Sequence, residues 1–186
     1  MFYTAFDSLL PSTANQRPDL IPSGLRDEIE AMNTWVYEQV NNGTYRAGFA
    51  TSDEAYSAGV ERFYDGLERL EKHLSNPSHQ PYLFGEHVTE ADVRLFPTIL
   101  RFDVGYVGFF NRRPGDAKLV REQYPKIDKW LRTLYWDESA ETNGAFRKTV
   151  NFAKIREGIT KVEGIDKEFK LPDVDILPLQ SAALIA

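Results

Sequence analysis

Apolar residues recur at steps of three and four through most of this chain, and no stretch alternates apolar and polar residues like a strand. That periodicity restricts the fold to packed helices. Over residues 23–41, Leu25, Ile29, Met32, Trp35, Val36 and Val40 share one face. Ser23 is placed to cap the start, and Gly43 to end the helix in a left-handed conformation. From residue 51 to about 75, Tyr56, Val60, Phe63, Leu67, Leu70 and Leu74 form a narrow seam along a long helix. Thr51 and Glu54 are spaced as its capping box. Such a seam, flanked by other amphipathic helices, predicts one wall of a bundle.

Residues 89 to about 110 read as the central helix. Thr89 and Asp92 form a second capping box, and Val88 with Val93 forms a hydrophobic staple. Leu95, Phe96, Ile99, Leu100, Phe102, Val104, Tyr106 and Val107 then cover most of the circumference, the pattern of a buried helix. Pro97 predicts a kink, and Gly105 an end or bend. Pro125 opens a further helix carrying Ile127, Trp130, Leu131 and Leu134, and a shorter one covers 150 to about 162. A connector with three prolines, residues 10–22, follows a first short helix. The chain thus divides into an all-α domain, residues 1–162, and an irregular C-terminal tail, residues 163–186.

Composition excludes several functions. A net charge of −6 without a basic stripe argues against nucleic-acid binding. The longest apolar run falls far short of a membrane span, and residues 1–7 lack the basic and small-residue features of a signal peptide. A cytoplasmic chain with no membrane partner is the expectation. The chain has no cysteine, which removes disulfides, thiolate metal sites and any thiol nucleophile. His73, His79 and His87 have no helical i, i+4 pairing and read as surface or loop residues, with no metal site. Asp92, Arg94, Arg101 and Asp103 lie on the predicted buried helix, where stranded charge is costly, so an internal network of ion pairs and caps is expected, the alternative being an arginine that holds a carboxylate of glutathione or substrate. Arg112-Arg113-Pro114-Gly115 reads as a solvated turn.

Longer strings are more specific. They are Asn41-Asn42-Gly43-x-Tyr45-x-Ala47-Gly48-Phe49-Ala50, Thr89-Glu90-Ala91-Asp92-x-Arg94-Leu95-Phe96, and Leu100-Arg101-Phe102-Asp103. Tyr124-Pro125 through Leu134-Tyr135-Trp136, and Thr149-Val150-Asn151-Phe152-x-x-Ile155, follow in order. Together they resemble the helical half of omega-like (Xi-class) glutathione transferases of the glutathionyl-hydroquinone reductase type, over about residues 1–160. The resemblance implies a transferase C-terminal helical bundle that lines an aromatic or quinone substrate pocket and makes a homodimer. In that family a thioredoxin-like N-terminal domain binds the co-substrate glutathione, and the cysteine of its Cys-Pro-Trp motif attacks the conjugate. That domain is absent from this sequence, so the resemblance assigns no catalytic residue here.

By the same resemblance the substrate-binding positions are Tyr45, Phe49, Phe102 and Tyr106, with Thr89 and Asp92 as structural caps. Tyr45 matches a family tyrosine whose hydroxyl points into the active site. It follows the predicted helix end, so its ring is free to project into a cleft. Three departures stand out. Met1 falls inside a helix of the family's domain. Ile159 stands where the family has a substrate-facing hydroxyl. Asn111-Arg112-Arg113 replaces a Lys-Cys-Asn segment. The alternative reading is a stand-alone, non-catalytic interaction module of the same fold.

Overall fold

The computed structural model describes residues 18–162 and Leu171. The predicted first helix and the rest of the tail lie outside the described residues. Among those described, the structure is helical, with a single isolated antiparallel bridge between Tyr82 and Gly85.

Helix α1 (Arg26–Val36) buries Ile29, Met32, Asn33 and Val36. Ser23 does not cap it; the N-terminal position is Leu25, without a side-chain cap bond. Asp27 and Glu28 in the first turn complement the helix dipole instead. The helix does not stop at Gly43. It widens into one π-helical stretch, Tyr37–Asn41, in which the Asn42 amide reaches back to the Tyr37 carbonyl at 2.9 Å. The chain then enters a short helix, α2 (Gly43–Gly48), directly. Gly43 is needed for closeness, not for a left-handed turn: a Cβ there would sit 3.1 Å from the Phe63 ring.

Helix α3 (Asp53–Leu74) carries the predicted seam, with Tyr56, Phe63, Leu67, Leu70 and Leu74 buried. Its cap is Ser52, not Thr51; the Ser52 hydroxyl accepts from the Ala55 amide at 3.1 Å. Gly59 and Gly66 fall on one face of α3, seven residues apart. A Cβ at Gly59 would lie 3.0 Å from the Ala47 backbone, and one at Gly66 3.0 Å from Val40 Cγ2. Small residues there let the π-helical stretch and α2 lie almost backbone to backbone on α3.

Helix α4 (Glu90–Val104) is the buried centre. Both halves of the Thr89–Asp92 capping box form. Val88 is buried but Val93 is 41% exposed, so the staple contributes little. The helix ends at Val104, and Gly105 leads into a 3-10 helix, Tyr106–Phe110. Two short elements, α5 (Val120–Gln123) and α7 (Ala145–Lys148), flank the predicted α6 (Pro125–Trp136). The last described helix is α8 (Phe152–Thr160), capped by Asn151 through the Lys154 amide at 3.0 Å.

Carboxylates cap helices across the bundle. Asp103 accepts from the Val120 and Arg121 amides at 2.8 and 3.2 Å, and pairs with Arg121 Nε at 3.3 Å. Glu71 of α3 takes the Lys126 and Ile127 amides at 2.8 and 2.9 Å, satisfying the open start of α6. Arg94 pairs with Glu90 at 3.7 Å. The core between these helices is an aromatic stack: Phe63 lies 4.6 Å from Phe102 and 4.9 Å from Phe110, centroid to centroid.

Two sequence expectations need correction here. His73 and His79 are not free surface residues; they are half-buried and stacked at 3.9 Å. His73 Nε2 lies 2.7 Å from the Leu83 carbonyl, which ties α3 to the following loop. His87 is exposed. Arg112 is not simply solvated either. Its Nη2 donates to the Ala50 carbonyl at 2.7 Å, and its guanidinium lies 4.6 Å over the Tyr56 ring.

Candidate functional site

Tyr45 lies inside α2, not beyond a helix end, and its ring points along the exposed flank of that helix with Phe49. The two rings stack at 6.2 Å, as expected of neighbours one helical turn apart. Opposite them the Tyr106–Phe110 turn presents Tyr106 and Phe109, with Phe49 and Phe109 at 5.7 Å. The hydroxyls of Tyr45 and Tyr106 meet at 2.8 Å, and their rings meet edge to face at 5.6 Å. Tyr45 is 43% and Phe49 55% exposed.

Burial, and then the bond to Tyr45, push the Tyr106 hydroxyl well above the ordinary phenol range. Tyr106 is therefore a neutral donor–acceptor at physiological pH. In the pair one hydroxyl donates to the other, so one O–H remains available to a third group.

Phe102 does not join this surface. It is fully buried and packs against Phe63, Tyr64 and Phe110. Its expected place at the site gives way to the core, because α4 is buried along most of its length and Phe102 faces α3. Thr89 and Asp92 are structural, as their spacing predicts: Asp92 is fully buried and accepts from Leu83 N, Thr89 N, Thr89 Oγ1 and Trp130 Nε1 at 2.8–2.9 Å. Burial pushes its carboxyl up from the ordinary value, and those four donors pull against that shift.

Tyr106 also lines a cavity of about 740 Å³ bounded by α4, α7, α8 and Leu20. Phe96, Pro97, Leu100, Phe146, Ile155 and Ile159 supply an apolar wall, and Arg101 and Asn151 supply polar groups. Phe96 and Phe146 meet edge to face at 4.8 Å. Ile159 is 6% exposed and presses on Gly105, where an added Cβ would fall 2.2 Å from Ile159 Cδ1. The position where the family resemblance expects a hydroxyl is thus filled by methyl groups. Sequence reasoning assigned Phe96, Phe146 and Ile155 no part in the cavity. The available signal was the Thr149–Ile155 string, which places α8 against α4. Among the described residues no group of three His, Asp or Glu could hold a metal ion, and no helix is long and apolar enough to cross a membrane.

Comparison with known proteins places this geometry. Residues 53–133 match the family model described as "Glutathione S-transferase, C-terminal domain". "Glutathione S-transferase omega-like 2" of Schizosaccharomyces pombe is 42% identical over 156 residues, covering 84% of this chain and 47% of the relative. "Glutathionyl-hydroquinone reductase YqjG" of Escherichia coli is 40% identical over 156 residues, covering 84% of this chain and 42% of the relative. The glutathione-bound structure of YqjG superposes with a TM-score of 0.76 at 35% identity, over 95% of this chain and 53% of that one. The glutathione-S-transferase Xi of Phanerochaete chrysosporium gives 0.77 at 42% identity, over 96% of this chain and 55% of that one. The chain spans about half the length of the relatives it matches. On these matches and the helical architecture, the chain carries a glutathione S-transferase C-terminal domain of the omega-like, Xi-class kind.

Proposed function

We propose that this chain forms the aromatic-substrate wall of a glutathione-dependent enzyme that acts on glutathionyl-hydroquinones or related quinone conjugates. The observation that carries this reading is the Tyr45–Tyr106 hydroxyl pair, 2.8 Å apart, where the exposed aromatic patch meets the apolar cavity. The pair keeps one O–H for a ligand oxygen, and Phe96, Leu100 and Phe146 give the cavity an apolar wall for a planar ligand. The sequence similarity to YqjG supports this substrate class, and the glutathione-bound YqjG structure supports glutathione as co-substrate.

In this reading a thioredoxin-like domain supplies glutathione and the attacking thiolate, since this sequence contains no cysteine. The helical domain positions the aromatic ring, donates a hydrogen bond to its oxygen, excludes water, and contributes to a homodimer in the cytoplasm.

The test is calorimetric titration of the purified chain with S-(2,5-dihydroxyphenyl)glutathione. Saturable one-to-one binding is expected, weakened about three- to tenfold by Tyr106→Phe or Tyr45→Phe, the scale of one neutral hydrogen bond. Wild-type and variant chains with no measurable binding would refute the substrate-wall reading and favour the interaction-module alternative.

A further inference from the structure

Arg101 stands apart from the other charged groups around the cavity. Lys154 Nζ pairs with Glu157 at 2.7 Å. Glu141 accepts from the Val88 amide at 2.9 Å and lies 3.3 Å from His87 Nδ1. Arg101 is half-buried in the cavity wall, and among the described residues its side chain makes one hydrogen bond, from Nη1 to the Pro97 carbonyl at 3.0 Å. No carboxylate among the described residues forms an ion pair with it. A guanidinium has five N–H donors in a planar fork, so most of this one's capacity is unused within the described chain.

A half-buried cation among Phe96, Pro97 and Leu100 carries a desolvation cost that a bound anion would offset. Arg101 and Tyr106 both line this cavity. Planar oxyanions are the ligands a guanidinium recognises best.

We infer that Arg101 is a specificity-determining residue that makes this cavity prefer ligands with an anionic oxygen group, while the Tyr45–Tyr106 pair serves a second, neutral oxygen. The inference rests on the reading that the cavity takes an aromatic ligand, and adds the charge class of that ligand. The anion has two sources, an acid group on the aromatic ring or a carboxylate of glutathione.

The experiment titrates the purified chain under argon with 1,4-dihydroxynaphthalene, with 1,4-dihydroxy-2-naphthoate and with glutathione, for wild type, Arg101→Gln and Arg101→Lys. Wild type is expected to bind the naphthoate at least about tenfold more tightly than the neutral diol, the scale of one charge-assisted hydrogen bond. Arg101→Gln should abolish that preference while leaving diol affinity within about twofold. Arg101→Lys, which keeps the charge but loses the fork, should retain part of it. Glutathione binding that is lost in Arg101→Gln, without a naphthoate preference, also supports the inference and assigns the anion to the tripeptide. Independently of any variant, the wild-type preference must shrink as ionic strength rises. Diol binding with no anion preference that depends on Arg101 or on salt overturns this inference alone. Failure of all three ligands to bind overturns it together with the reading it rests on.

Discussion

Asp92 is fully buried on α4, yet every donor around it is matched: two amides, the Thr89 hydroxyl and the Trp130 indole all lie at 2.8–2.9 Å. This one carboxylate holds the α4 start, the 82–85 loop and α6 together. Asp92→Ala would strand those donors without water, each costing about 1–3 kcal/mol, so a loss of more than about 3 kcal/mol in urea-unfolding free energy is expected. A loss under about 1 kcal/mol would mean that the network relaxes. The Thr89–Asp92 box was legible because its spacing is local. Trp130 as a partner was not, since 38 residues separate it from Asp92. The same contrast governs the site. Tyr45 and Tyr106 were both named, but nothing in a sequence pairs two hydroxyls 61 residues apart. Phe102 lies in the core and not at the cleft, and a helix buried on most of its faces does not reveal in its sequence which face meets a cleft.

At the scale of elements, long helices were read well and short ones were not. The α3 seam and the Pro125 start stand as predicted, because several turns of periodicity outweigh any single residue. Helices α2, α5 and α7 run four to six residues, too few for a face to repeat. Gly43 misled for a related reason: a glycine after a helix marks a stop locally, but here close packing on Phe63 requires it. Packing also predicts the effect of Gly48→Ala. The new Cβ would lie 2.7 Å from Phe109 Cγ, near the root of a buried ring that itself packs on Phe49 and Tyr106. Overpacking of this kind costs about 1–3 kcal/mol, more than alanine gains in helix propensity. The urea midpoint should fall, and an unchanged or raised midpoint would contradict the packing described.

The junction after α3 adds a pH dependence. Burial first, with stacked His79 opposing charge as well, lowers the His73 pKa in the folded state. The unfolded chain therefore binds more protons than the folded chain once pH drops below about 6.5, the ordinary histidine value. The stabilisation is fully present above that pH and is lost as pH falls toward the depressed folded value. Urea midpoints measured at pH 7.5 and 5.5 should fall more for wild type than for His73→Gln. Equal falls would remove His73 as the cause.

For the whole molecule, the helical bundle, its central helix and its family were legible because five strings keep their order across most of the chain. The cavity was not legible, because its walls come from α4, α7 and α8 and form only when the bundle closes. Chemistry divides along the same line. The 186 residues hold no thiol, so this chain with glutathione should consume S-(2,5-dihydroxyphenyl)glutathione no faster than buffer with glutathione does. An enzymatic rate would show that the chain promotes attack by a nucleophile other than a cysteine of its own, the glutathione thiolate included. The most direct measurement of the central claim is a crystal structure of the chain with that conjugate bound. The account predicts the hydroquinone ring in the apolar cavity with an oxygen within hydrogen-bonding distance of the Tyr45–Tyr106 pair. A conjugate bound elsewhere, or an empty cavity at saturating concentration, would contradict it.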